Sequence, residues 1–138
     1  MTLPHFEYAA PTSLSDVFKL LDAHGPSARV MAGGTDLVLR LRERIDQPKL
    51  VISLGKIPQL RLIECDEKQG VTIGATALLA EVAENPIVAK KYRALAQGAR
   101  ATATVQIRNV GTVIGNICNA APCADNAPPL LVLDAEVL

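Results

Sequence analysis

The sequence predicts an α+β chain of two small units, a βαβ unit over residues 1–55 and a larger mixed, partly antiparallel unit over 56–138. Three observations carry this. A strand-like run, a helical stretch and a second strand-like run succeed one another between Arg29 and Leu54, and strand–helix–strand units pair in parallel with a right-handed crossover. From Gly55 the pattern changes to two short runs on either side of a polar turn. Two glycine-bearing turns, Ala32-Gly33-Gly34-Thr35-Asp36-Leu37 and Thr112-Val113-Ile114-Gly115-Asn116-Ile117, each follow or interrupt an apolar, strand-like run, one in each unit.

The elements follow in order. Ser13-x-x-Asp16 resembles a capping box, and Leu14, Val17, Phe18 and Leu21 then share one helical face. Gly25-Pro26 stops that helix. Arg29–Ala32 is a short buried strand ended by Gly33-Gly34. Thr35 or Asp36 is placed to cap a second helix, lined by Leu37, Leu41 and Ile45 and basic towards its end at Arg40, Arg42 and Arg44. Lys49–Leu54 is the second strand.

In the second unit, Gln59–Glu64 and Val71–Gly74 read as a hairpin about the turn Cys65–Gly70. Thr76 is placed to cap a short helix through Glu84, which Asn85-Pro86 ends. Ile87, Val88, Lys91, Tyr92, Leu95, Ala96 and Ala99 keep helical spacing, with Pro86 in the first turn. Thr102–Gly111 carries the alternating pair Val105 and Ile107, and Asn119–Asn126 is an ordered loop of turn formers. Leu130–Leu138 is apolar to its last residue and reads as an unfinished core strand, so the natural polypeptide is expected to continue.

Composition narrows the function. Lys plus Arg (14) equals Asp plus Glu (14), Trp is absent and aromatics are scarce, so neither charge nor stacking favours nucleic acid. The start of the chain shows no secretory signal, and no apolar run approaches the roughly 20 residues that span a bilayer. Three cysteines fit a reducing compartment, and the cytoplasm is the expected location.

The two turns hold the candidate chemistry. Gly33 and Gly34 let backbone approach a ligand closely, and the start of the following helix favours an anion. Alone, this turn is equally an ordinary strand-to-helix connection. Gly-x-Gly-x-x-Gly is absent, and no Gly-Lys-Ser/Thr follows, which disfavours a Rossmann turn and a P-loop. Thr112, Gly115 and Asn116 supply one hydroxyl, one bare backbone position and one amide, with Asn119 and Asp125 as further polar groups. By itself that set is equally a glycine bulge in a strand. The pair of turns points to a pyrophosphate held from two sides.

Cys118 and Cys123 lack the further cysteines an iron–sulfur loop requires, and small buried hydrophobes are the better reading. His5 and His24 have no ligand-spaced partners, so a metal site has no support, and no Ser-His-Asp or Cys-His arrangement stands out.

At these motifs the chain resembles the FAD-binding (medium) subunit of the molybdenum hydroxylases, the xanthine dehydrogenase and carbon monoxide dehydrogenase type. The resemblance runs through Phe6-Glu7-Tyr8, Pro11–Leu14, Ala32–Leu37, Ile73–Thr76, Gln106–Thr112 and Asn116–Asp125. It implies a two-part FAD-binding fold of the vanillyl-alcohol-oxidase (PCMH) type, of which this chain is the N-terminal half. It further implies that Val30, Met31, Ala32, Gly33, Gly34 and Thr35, with Asp36 beside them, form one wall of the FAD site. Thr112, Gly115, Asn116, Asn119 and Asp125 form the other, and Thr102 and Ala103 match positions near the cofactor. Most relatives have two glycines before the Asn, and here the first is Ile114, costly if that backbone must adopt positive φ.

The family's division of labour implies an oxidoreductase subunit without catalytic side chains or metal ligands of its own. A molybdenum-cofactor large subunit hydroxylates the substrate, and a small subunit with [2Fe–2S] clusters passes electrons to FAD and on to NAD or another acceptor. No partner is expected among nucleic acids, and no membrane insertion. Two alternatives are a free-standing FAD-dependent oxidoreductase of the same fold superfamily and a non-catalytic assembly subunit.

Overall fold

The computed structural model describes residues 2–66, 68 and 70–138. Met1 and residues 67 and 69, two positions of the expected hairpin turn, lie outside the described residues.

The first unit is a three-stranded parallel sheet in the order β1-β3-β2, formed by Glu7–Ala9 (β1), Ala28–Met31 (β2) and Leu50–Ser53 (β3). β3 lies in the centre with all four residues buried, which is why it reads as a continuous Leu-Val-Ile run. β1 was not legible as a strand. Its three residues hold no periodic pattern, and they become a strand by pairing Glu7 with Leu50 and Ala9 with Ile52.

Leu14–His24 (α1) and Thr35–Arg42 (α2) are the crossovers. Ser13 caps α1 as expected, its Oγ accepting from Asp16 N and donating to the Asp16 carboxylate. Gly25 ends the helix at φ 49°. The expected apolar face is corrected. Val17 is buried with Leu20 and Leu21 against β2 and β3, whereas Leu14 and Phe18 (58% exposed) turn outward. α2 is capped by Gly34 in the left-handed region (φ 75°), and Thr35 and Asp36 lie inside its first turn instead of capping it. The helix ends at Arg42, so Ile45 lies beyond it and is exposed; only Leu41 is fully buried.

The second unit opens with an antiparallel hairpin, Ile63–Asp66 (β4) against Gly70–Ile73 (β5), with Ile63 opposite Ile73. Pro58–Arg61 is a 3-10 turn rather than the start of a strand. Leu79–Glu84 (α3), Pro86–Lys91 (α4) and Arg93–Ala101 (α5) enclose a second core of Leu79, Val82, Val88, Leu95, Ala99 and Val113, with Ile63, Val71 and Ile73 packed on it. Thr76 does not cap α3. It is buried and its N–H donates to Leu60 O, while Leu78 N donates to Glu81 Oε2 at the true helix start. The expected single helix over 86–99 is two helices, broken at Tyr92 (φ −125°, ψ 50°), and the bend lets both apolar stripes meet one core.

The strand-like reading of Thr102–Gly111 is overturned by a short helix, Val105–Arg108 (α6), whose first turn Thr104 caps. Val105 and Ile107 are exposed, and the Thr104 side chain caps the turn by accepting from Ile107 N. The second glycine turn is likewise not a strand interruption or a bulge but the helix Val113–Cys118 (α7). Ala127–Val132 (α8) is a helix with prolines in its first turn, which overturns the strand reading of the last residues.

Candidate functional site

β2 runs its backbone to Met31, whose carbonyl accepts from Leu54 N at 2.9 Å, and then enters Gly33-Gly34. The turn therefore stands at the carboxyl end of a parallel strand, where open α/β sheets bind ligands. Gly33 makes a close approach, but to protein. A Cβ there would stand 2.2 Å from Val110 O and 2.8 Å from Gly111 Cα, so its bareness lets the first turn dock onto the segment leading to the second. Gly34 supplies the left-handed cap of α2, and no side chain among the described residues takes the helix's first N–H groups. Helix starts left in this way are the kind of end at which proteins bind anions.

Across from it, α7 begins at Thr112, which is 3% exposed. Its Oγ1 accepts from Gly115 N at 2.9 Å, so the hydroxyl serves the helix cap. A Cβ on Gly115 would come within 2.8 Å of that oxygen. Ile114 is helical and is not among the residues with positive φ, so its β-branched side chain is accommodated in ordinary backbone.

Between the two turns lies a groove of about 770 Å³, in the upper part of the roughly 300–1,000 Å³ typical of cofactor sites. Val30 through Asp36 line one side. Thr112, Gly115, Asn116 and Asn119 line the other, with Thr102 and Ala103 near them. Asp125 is the exception: it is exposed and outside the lining, and its carbonyl packs on α5 where a Cβ at Gly98 would meet it at 2.6 Å. Ala103 holds φ 49°, unusual for a residue with a side chain. Arg108 clamps that bend, one guanidinium nitrogen donating to Thr102 O (3.0 Å) and Ala103 O (2.8 Å).

Several lining residues were not singled out from the sequence. Asp46, with a side chain only 9% exposed, is paired with Arg29 at 3.2 Å and with Arg40. All three line the groove. The hydrogen bond from Arg40 holds the Asp46 carboxyl below its usual range, and that from Arg29 adds to it against the opposing effect of burial. Arg40 was legible only as a charge suited to the end of a helix. Asn126, fully buried behind the groove, was legible only as a turn former. Cys118 lines the groove, and it and Cys123 are exposed, which corrects the buried reading: α7 and the loop after it turn both outward from the core.

The donor set fits a dinucleotide in kind: first-turn N–H groups of α2 without a side-chain partner face the Asn116 amide along an extended groove between the two glycine motifs. That arrangement defines a nucleotide-cofactor domain. Comparison with known proteins gives the family. Residues 4–138 match the FAD binding domain in molybdopterin dehydrogenase, and the chain belongs to that family. It is 35% identical to the xanthine dehydrogenase FAD-binding subunit of Escherichia coli O157:H7, over 94% of this chain and 44% of that protein. It is also 35% identical to the carbon monoxide dehydrogenase medium chain of Hydrogenophaga pseudoflava, over 99% of this chain and 47% of that one. Among solved structures, carbon monoxide dehydrogenase from Hydrogenophaga pseudoflava superposes with a TM-score of 0.86 at 36% identity, covering 91% of this chain and 44% of that chain. Quinoline 2-oxidoreductase from Pseudomonas putida 86 gives 0.79 at 32% identity, over 85% and 40%. The chain thus spans about half the length of the relatives it matches, and the expected fold type is the one it has.

Proposed function

We propose that this chain holds FAD in the groove between the two glycine turns, as the flavin-binding part of a molybdenum hydroxylase. One observation carries the reading: turns far apart in sequence, at Gly33-Gly34 and at Thr112–Asn116, face one groove. The first-turn N–H groups of α2 bind the pyrophosphate, and Asn116 binds sugar or phosphate oxygens from the facing wall, beside Asn119, whose Nδ2 is held by Asp36. Gly33 holds the two walls together. On this reading the natural boundary between the subdomains falls near residue 55.

When bound, FAD supplies the redox chemistry, accepting electrons and passing them on; the chain's residues bind and orient it. In the assembled enzyme, electrons come from [2Fe–2S] clusters on a small subunit fed by a molybdenum-cofactor large subunit, and leave to NAD or another acceptor. The names of the relatives as FAD-binding and medium subunits support this division. The cytoplasm is the proposed location; among the described residues no helix is long and apolar enough to cross a membrane.

The test is to purify the full-length protein with its co-purifying partners, identify released cofactor by chromatography and record the visible spectrum. FAD with iron–sulfur absorbance is the expected result. FAD alone would turn the reading to a free-standing flavoenzyme, and no flavin would overturn it.

A further inference from the structure

Asn126 is fully buried, yet it is a polar residue in a loop, and both hydrogens of its amide are used. Nδ2 donates to Thr102 Oγ1 at 3.0 Å and to Asn116 Oδ1 at 2.9 Å. Both acceptors belong to residues that line the groove. Asn126 Oδ1 has no partner among the described residues.

The direction of this chain of bonds is fixed at its far end. Thr102 Oγ1 donates its one hydrogen to Gly98 O at 2.8 Å, and a carbonyl can only accept. The Thr102 hydroxyl oxygen is thereby left as an acceptor, so the amide facing it must present N–H. Rotating the Asn126 amide would set its oxygen against that acceptor. With its N–H face committed, Asn126 draws the oxygen of the Asn116 amide towards itself. An amide is planar with its oxygen and nitrogen on opposite sides, so Asn116 is left with Nδ2 turned the other way. Among the described residues no acceptor takes Asn116 Nδ2.

We infer that Asn126 is a positioning residue that holds Asn116 with its N–H groups towards the groove, as a hydrogen-bond donor to the phosphate or sugar oxygens of the cofactor. The inference rests on the FAD reading of the groove. It explains why a buried amide is kept at the cost of an unpartnered oxygen: polarity passes from a helix carbonyl through Thr102 and Asn126 to the ligand.

The test is FAD titration of the full-length protein, stripped of flavin, followed by flavin fluorescence. The variants are Asn126→Asp, Asn116→Ala and their combination, each with its thermal midpoint. In Asn126→Asp a carboxylate oxygen replaces the donor, attracts Asn116 Nδ2 and turns Asn116 Oδ1 into the groove. Loss of one donor to a charged oxygen weakens binding about tenfold to a hundredfold. The same change in the Asn116→Ala background should add less than about threefold, because nothing is left to orient.

Equal weakening in both backgrounds, or none in either, would overturn the inference. Failure of the unaltered protein to bind FAD would overturn the reading of the groove itself, which separates the two. Should Asn126→Asp not fold, Thr102→Val removes the same chain at its first bond. A loss of affinity confined to the background that retains Asn116 supports the inference, and a loss independent of Asn116 overturns it.

Discussion

Asn119 Nδ2 donates to Asp36 Oδ1 at 3.1 Å, joining the end of α7 to the first turn of α2 across the groove. The bond links side chains from the two glycine motifs, and it occupies groups that a ligand would otherwise meet. Asp36 also places a negative charge at a helix start, favourable for the helix but unfavourable for an anion bound beside it.

Asp36→Asn keeps a partner for Asn119 and removes that charge. FAD affinity should rise severalfold at low salt, with a loss of roughly 0.3–1 kcal/mol in stability. Fluorescence titration at low and high ionic strength checks this, since the gain should shrink as salt screens it. A weakened affinity would mean that the Asp36 carboxylate itself holds a cofactor hydroxyl.

Gly33→Ala should cost about 2–3 kcal/mol by overpacking, because its Cβ meets backbone at Val110 that has no rotamer to escape into. Urea unfolding measures the loss. A neutral result would show that the two turns do not touch in solution.

Ala103→Gly should stabilise the protein by about 0.5–1 kcal/mol, relieving a left-handed alanine at φ 49° less the entropy of the added glycine. Arg108→Leu should do the opposite, since it removes two hydrogen bonds that hold the same bend. Thermal midpoints of the two variants, read against the unaltered protein, check the pair.

Acid should weaken the fold through Asp46. Its folded-state pKa lies below the ordinary value of 3.8, first through the hydrogen bond from Arg40. A depressed carboxylate stabilises the fold fully above its unfolded value, and that contribution drains away as pH falls from there through the folded value. Denaturant midpoints should therefore drop below about pH 4. In Asp46→Asn the unfolding curve should start lower at neutral pH and lose part of this acid limb. An unchanged limb would assign the acid sensitivity to other carboxylates.

The sequence by itself determined the local events. Ser13 and Gly25 bound α1 because a capping hydroxyl and a left-handed glycine act within a few residues. Lys49–Leu54 was legible as a strand from its unbroken apolar run, and the structure places Leu50–Ser53 of it, buried, at the centre of the sheet. The two glycine motifs, and the family they mark, were legible because a Cβ is excluded at Gly33 by Val110 O and crowded at Gly115 by Thr112 Oγ1.

Tertiary structure alone decided the rest. Glu7–Ala9 is a strand through its pairing with β3, and Val105–Arg108 is a helix with both apolar side chains outside the core. Gly33 was legible as bare backbone, but its partner Val110 lies far along the chain. Asn126 and the Arg29–Asp46–Arg40 cluster join the groove through contacts between elements, which no local pattern records. Capping and periodicity are written within a turn or two of chain, whereas burial, pairing and the partner of each polar group depend on what folding brings alongside.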